Sequence, residues 1–365
     1  MEVLKITLKQ HTPLIHFQHD QYGATLRASE VKPKLDKYIQ SLINENLYSR
    51  YCIKDTNALK YKLEIIANES DKIPISIPVS SKIKEGKRVF EATFPFILSN
   101  MDAKEKESDL INFSYYKKIT LIFITSHKKI KELINEYIDE FFAVNNFGNR
   151  QDKGFGSFFR DKADLESFET ALSNVYTKLY SKRINAFSLP VNFTNLKNAF
   201  FSLEKDYKKL KSGINRYESL LKRYGEEEYN YQWEKIAIKK AKKNDDIPNN
   251  TYYLRALLGA TTAMPYINDR QIVEIESELD ENGNEIVQRF SSPIVFKIFN
   301  NMVFALPNDE NLNAIIGKRF KFSIKREKDK RLVHEPFYLE VPSINLYDFI
   351  DFGLSELQWN ENIFD

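Results

Sequence analysis

Asn145-Asn146-Phe147-Gly148-Asn149-Arg150-Gln151-Asp152-Lys153-Gly154-Phe155-Gly156-Ser157-Phe158-Phe159-Arg160 holds three glycines, two arginines, one lysine and four phenylalanines. Glycine tolerates positive φ and lets a backbone come close to a ligand. Arg150, Lys153 and Arg160 supply positive charge, and the phenylalanines can anchor a core or stack on bases. Just before the stretch, Ile130, Leu133, Ile134, Tyr137, Ile138, Phe141 and Phe142 recur at helical spacing. Ser126 reads as the cap that opens this helix and Asn145-Asn146 as its end. Gly156 to Arg160 reads as a closing strand. A charged glycine loop between a helix and a strand suits a nucleotide, an RNA chain, or simply a tight connection. No Gly-Lys-Ser/Thr follows at Walker spacing, and the loop follows a helix instead of a strand, which argues against a dinucleotide fingerprint.

Upstream, Leu4, Ile6 and Leu8 alternate with Lys5 and Thr7, a half-buried strand over Val3 to Leu8. A non-periodic loop, His11 to Ala28, precedes a helix with Pro33 in its first turn and a stripe of Leu35, Tyr38, Ile39, Leu42 and Ile43. Strands are predicted at Tyr61 to Ala67, Arg88 to Leu98 and Tyr115 to Thr125. The order strand, helix, strand, strand, helix, strand, with one extra strand, is the split βαβ or ferredoxin-like arrangement. Downstream, Ala163 to Ser181 reads as a helix. Leu203, Tyr207, Leu210, Ile214, Tyr217, Leu221 and Tyr224 make a narrow seam typical of helix packing. Glu204 to Lys243 carries twelve Lys/Arg against seven Asp/Glu, densest at Lys239-Lys240-Ala241-Lys242-Lys243. The last third returns to strands: Gln271 to Glu278 and Glu285 to Phe290 around an Asn282-Gly283 turn, Pro293 to Phe299 with Met302 to Leu306, then Arg319 to Ile324 and Phe337 to Val341. The expected fold class is α+β. Residues 1–162 form a ferredoxin-like domain, 163–250 a helical insertion, and 251–365 a β-rich second half that also draws on helices of the middle.

The 365 residues suit two domains of ordinary size or one large one, with 42% apolar content to fill a core. One cysteine, Cys52, excludes a disulfide framework and a cysteine-rich zinc site, and fits a reducing cytoplasm. The first residues lack a signal peptide's apolar region and no run reaches membrane-spanning length. A formal charge of +3 names no partner by itself, so the clustering of charge matters more.

The opening strand, Thr12-Pro13-Leu14, and Ala24-Thr25-Leu26-Arg27-Ala28-Ser29-Glu30-Val31-Lys32-Pro33-Lys34-Leu35 together resemble the start of the RAMP superfamily of CRISPR proteins. Asn149 to Ser157 is similar to the glycine-rich loop of that superfamily. Arg289-Phe290-Ser291-Ser292-Pro293-Ile294-Val295-Phe296-Lys297 resembles a segment of the subunit that caps one end of type III-B effector complexes. The resemblance covers the first 160 residues and part of the last third. It implies two ferredoxin-like halves, guide-RNA binding without a cofactor, and assembly with other CRISPR effector subunits.

On that reading the RNA-binding candidates are Arg27, Lys32 and Lys34 at the first helix, where amides and cations make an anion site. In the glycine loop they are Asn149, Arg150, Lys153, Gly154, Phe155 and Gly156. The bland alternatives are a solvated first turn and a loop whose phenylalanines are core. The helix start and the loop are expected near opposite ends of the fold, marking different stretches of an RNA path. A binding role leaves no catalytic residue to name. The alternative in the enzyme class is a metal-independent, guide-processing endoribonuclease using His16 or His19, which share a loop with His11. Metal binding by these histidines lacks a third ligand beyond Asp20. Asp20, Asp152 and Asp161 are unspecific candidates for metal-assisted cleavage. The other alternative is a protein scaffold without an RNA role. The lysine cluster reads as a solvated face or a phosphate contact.

Overall fold

The computed structural model describes residues 1–15, 25–84, 87–92, 96, 110–180, 185–192, 195–214, 217–260, 263–266, 270–278 and 291–363. His16, His19, Asp20, the Asn282-Gly283 turn and the Glu285 to Phe290 strand therefore lie outside the described residues. The chain divides into two compact units: Met1–Phe201 with Phe296–Leu306 and Asn360–Asp365, and Ser202–Val295 with Pro307–Trp359.

The chain opens with β1 (Glu2–Gln10), α1 (Ala28–Leu42), α2 (Glu45–Tyr51), β2 (Cys52–Ile53), β3 (Ala58–Leu59) and β4 (Tyr61–Ile66). Next come β5 (Lys72–Lys84), β6 (Lys87–Ala92), β7 (Leu110–Tyr116), β8 (Lys118–Thr125), α3 (Lys128–Val144), β9 (Phe158–Arg160) and α4 (Leu165–Tyr180). The sheet order β4-β8-β1-β9, with every pair antiparallel, is ferredoxin-like. β8 buries alternate residues, Ile119, Leu121, Phe123 and Thr125, as a one-faced strand should. α1 covers that face with Val31, Leu35 and Ile39, and α3 with Ile130, Ile134, Ile138 and Phe141, all fully buried.

Three local readings differ from expectation. α1 begins at Ala28, so the exposed Pro33 falls in the second turn, where its ring costs the helix one backbone hydrogen bond. Tyr115-Tyr116 ends β7, and β8 starts only after Lys117, whose amide turns to the Asp71 carbonyl. β5 is a strand despite Pro74 and Pro78. Both pair in register with β7, opposite Ser114 and Leu110, and their even spacing turns the two missing N–H groups to the same side of the strand.

The chain continues with β10 (Asn185–Pro190), α5 (Leu196–Lys211), α6 (Leu220–Tyr229), β11 (Gln232–Trp233), α7 (Glu234–Ala241), β12 (Thr251–Tyr252), β13 (Ala263–Tyr266) and β14 (Gln271–Ser277). It closes with β15 (Ile294–Phe299), β16 (Met302–Pro307), α8 (Asp309–Asn313), β17 (Arg319–Arg326), β18 (Phe337–Glu340), α9 (Leu346–Glu356) and β19 (Asn360–Ile363). A second sheet runs β15-β16-β10-β19, with β10 antiparallel to both neighbours. Its chain order, β10, α5, β15, β16, α9, β19, repeats the ferredoxin-like order of the first. The fold is therefore α+β with two ferredoxin-like halves. Two insertions, between α5 and β15 and between β16 and α9, supply the sheet β13-β14-β17-β18 of the second unit. The Leu203 to Tyr224 seam is carried by two helices, because Gly213 at φ 75° ends the first and Ser219 caps the next. Among the described residues no helix is long and apolar enough to cross a membrane.

Candidate nucleic-acid interface

Because β9 runs antiparallel to β1, it begins where β1 ends, with Gln10 opposite Phe158. α1 also starts beyond that end. The first turns of α1 and the glycine loop therefore meet, contrary to the expectation that they mark opposite ends. The Glu30 carboxylate accepts the Gly148 amide at 2.8 Å. Lys34 Nζ donates to Gln151 Oε1 at 2.8 Å and the Asn146 carbonyl at 3.2 Å, and lies 4.9 Å from the Phe147 ring centroid. Burial holds its ammonium below the usual lysine range, and Glu30 opposes the shift. Lys32 turns elsewhere. It donates to the Leu59 carbonyl at 2.7 Å and to Asp36 at 3.0 Å, above the Tyr61 ring.

Thr12-Pro13-Leu14-Ile15 runs alongside the loop and consumes its backbone donors. The Gly156 amide donates to the Pro13 carbonyl at 2.9 Å, and the Asn149 amide to that of Ile15 at 2.7 Å. Thr12 Oγ1 donates to the Gly154 carbonyl at 2.7 Å and accepts the Ser157 amide at 3.0 Å. The glycines serve this close approach. A Cβ on Gly156, at φ 65°, would stand 1.9 Å from the Phe147 carbonyl oxygen, and one on Gly148 2.5 Å from that of Ile15. With the amides of residues 147, 148, 149, 153, 154, 156 and 157 all donating within the protein, the loop is a brace and not an open phosphate cradle.

The phenylalanines belong to the core. Phe147, Phe155, Phe158 and Phe159 are all buried, and Phe155 stacks on Phe200 with centroids 4.3 Å apart. Lys153 is 8% exposed and pairs with Asp152 at 3.0 Å. Arg160 binds Asp139 at 2.8 and 3.0 Å. Asp161 pairs with Lys118 at 2.8 Å. Arg150, in the left-handed conformation at φ 57°, and Arg27, at the N-cap of α1, keep exposed side chains. Asn149, next to Arg150, is half-buried.

Two residues outside the predicted set hold this arrangement. Lys297 of β15 is wholly buried. It donates to the Asn145 carbonyl at 2.8 Å, and to Asn146 Oδ1 and the Phe158 carbonyl at 3.2 Å each. Burial, then Lys34, pushes its ammonium well below the usual range. Asn146 Nδ2 donates in turn to the Gln151 and Phe296 carbonyls at 2.7 and 2.8 Å. The legible signal for Lys297 was its place as the one charged residue in Ile294-Val295-Phe296-Lys297-Ile298-Phe299. His11 is a packing residue: its Nδ1 accepts the Asn300 amide at 3.0 Å, its ring lies 4.9 Å from that of Phe299, and burial keeps it neutral well below the usual histidine range.

The face of the first sheet turned away from α1 and α3 carries Val3, Lys5, Thr7, Ile66, Thr120, Ile122 and Ile124, half-buried or exposed. Its one aromatic, Phe159, is buried under Phe168 and Phe299. This face lacks the stacking aromatics with which an RRM sheet holds bases. Among the described residues no group of three or more His, Cys, Asp or Glu side chains could hold a metal ion.

No curated protein matches the sequence. The crystal structure of Cmr1 from Pyrococcus furiosus, in its apo form, aligns with 99% of this chain and 98% of its own at 10% identity and a TM-score of 0.42. In the cryo-EM structure of the type III-B Cmr-beta bound to cognate target RNA, one chain aligns with 44% of this chain at 10% identity and a TM-score of 0.29. This chain spans 59% of that one's length. The Cmr1 N-terminal domain family matches residues 1–214 and the Cmr1 C-terminal domain family residues 216–364, so the chain belongs to the Cmr1 family.

Proposed function

We propose that this chain is an RNA-binding subunit of a type III CRISPR effector complex, holding guide RNA and docking to neighbouring subunits. Family membership along nearly the whole chain supports the complex. The observation that carries the RNA contact is the junction of α1 and the glycine loop. Its cations Lys34 and Lys153 serve the brace, and Arg27 and Arg150 are exposed residues at the same end of the sheet. Arginine forks suit phosphate oxygens. Sequence specificity then comes from the guide itself, with phosphate contacts positioning it. Asn149 and the outer edge of the loop are the next groups in reach.

A photo-crosslinking amino acid placed at 150, and separately at 124 on the open sheet face, tests this in the assembled complex. Guide RNA labelled from position 150 and not from 124 is the expected result. Labelling from 124 alone would move the RNA to the sheet face and overturn the proposal.

A further inference from the structure

In the second unit a strip of aromatic side chains adjoins a row of lysines. β11 and β12 pair in parallel with Trp233 opposite Tyr252, which puts both side chains on one face. Tyr231, two residues before Trp233, shares that face, its ring 4.6 Å from that of Tyr252. Tyr229 stacks on Tyr231 at 5.1 Å with an interplanar angle of 14°. Hydrogen bonds set the rings: Tyr231 Oη donates to the Ser343 carbonyl at 3.3 Å, and Tyr229 Oη accepts the Asn345 amide at 2.9 Å. Tyr231 and Tyr252 are half-buried, so part of each remains in solvent.

α7 starts directly after Trp233. Lys235 and Lys239, one helical turn apart, are exposed, and Lys235 Nζ lies 4.8 Å from the Trp233 centroid. Neither meets a carboxylate among the described residues. The acid at this place, Glu234, is fully buried and committed to Arg255 at 3.1 Å. Burial, then Arg255, lowers the Lys235 ammonium from its ordinary value, with Lys239 and Lys222 pushing the same way and only Glu234 opposing. Positive charge is thus gathered beside aromatic rings, and the nearby buried carboxylate, Glu234, is already held by Arg255.

We propose that this strip is a second RNA contact, for unpaired RNA: Tyr231 and Tyr252 take bases by stacking, and Lys235 and Lys239 take phosphates. Aromatic platforms flanked by cations bind single strands, whose base faces are open, and not duplexes, whose faces are hidden. The inference shares only its ligand class with the proposed function, since its residues lie in the other unit. Its partner is an unpaired strand of any sequence.

The test is titration of full-length protein with a fluorescent single-stranded RNA of mixed sequence, and with the same strand in a duplex, across salt. K235E/K239E should weaken single-strand binding at least about tenfold and flatten the salt dependence. Tyr252→Ala should weaken it about fivefold with the salt slope unchanged, and Tyr252→Phe should bind as wild type. Single-strand affinity of K235E/K239E within twofold of wild type overturns the strip. Equal losses for duplex and single strand overturn its selectivity for unpaired RNA. Arg150→Ala in the same series separates the two sites. If it alone weakens binding, the loop reading survives and the strip falls. If only the strip variants weaken binding, the strip stands and the loop reading fails.

Discussion

The two ferredoxin-like halves enter their last strand in different ways. In the second, α9 reaches β19 through Leu357-Gln358-Trp359, with Gln358 in the left-handed region at φ 60°. In the first, α3 reaches β9 through residues 145–157, with Gly148, Gly154 and Gly156 all at positive φ. Three residues suffice to close this topology. The extra length of the first connection is therefore not needed for closure, and long ordered loops in compact domains usually carry function. What the extra residues do is visible in their bonds: they clamp Thr12 to Ile15, receive Glu30 and Lys34 from α1, and leave Arg150 pointing out.

The contrast can be broken most sharply at the backbone. Gly156→Ala should cost about 3 kcal/mol or more in denaturant unfolding, since left-handed strain adds to a clash with a carbonyl that cannot move. Gln358→Gly, at the matching connection, should be neutral or stabilising by up to about 1 kcal/mol, because it relieves the same strain with no clash to remove. A comparable loss at both positions would refute the distinction.

Next in size is Lys297→Met. It removes the donor from three oxygens, two of them in buried bonds, and should cost about 2 kcal/mol at neutral pH. The lowered folded pKa also fixes a sign. Between that pKa and the unfolded value of about 10.4 the unfolded chain binds more protons, so wild-type stability should rise with pH over this window. Lys297→Met should lose that rise, which unfolding at stepped pH will show. His11 acts on the acid side. Its folded pKa is lowered, so its stabilisation is present above the unfolded value of about 6.5 and is lost as pH falls below it, by at most about 1.4 kcal/mol per pH unit. His11→Gln should flatten the acid limb, and an unchanged limb would refute the assignment. Smallest of all, Arg150→Ala should shift stability by less than about 0.5 kcal/mol, since the side chain is exposed.

What could be read from sequence followed the range of the forces involved. The α3 stripe and the alternation of β1 are local periodicities, and both are where the residues put them, whereas the apolar run Leu121-Ile122-Phe123-Ile124 marked β8 but not its start at Lys118. β10 is six residues long and depends on β16 and β19, distant in sequence, so nothing local in the stretch read as helical announced it. β5 was hidden by two prolines whose tolerance depends on which edge they face. At the candidate interface, glycine spacing and arginine charge were legible. For Phe155 the sequence left core and stacking both open, because Phe200 decides between them. The meeting of the loop with α1 was not legible, since it follows from β9 running antiparallel to β1.

The central claim is that this loop is a brace whose outward arginines touch RNA. The most direct measurement is guide-RNA affinity against salt for wild type and Arg27→Ala/Arg150→Ala, with thermal melting in parallel. The account predicts an unchanged melting temperature and a salt slope shallower by about 2, one counterion for each arginine–phosphate pair removed. An unchanged slope, whether binding weakens or not, would contradict it.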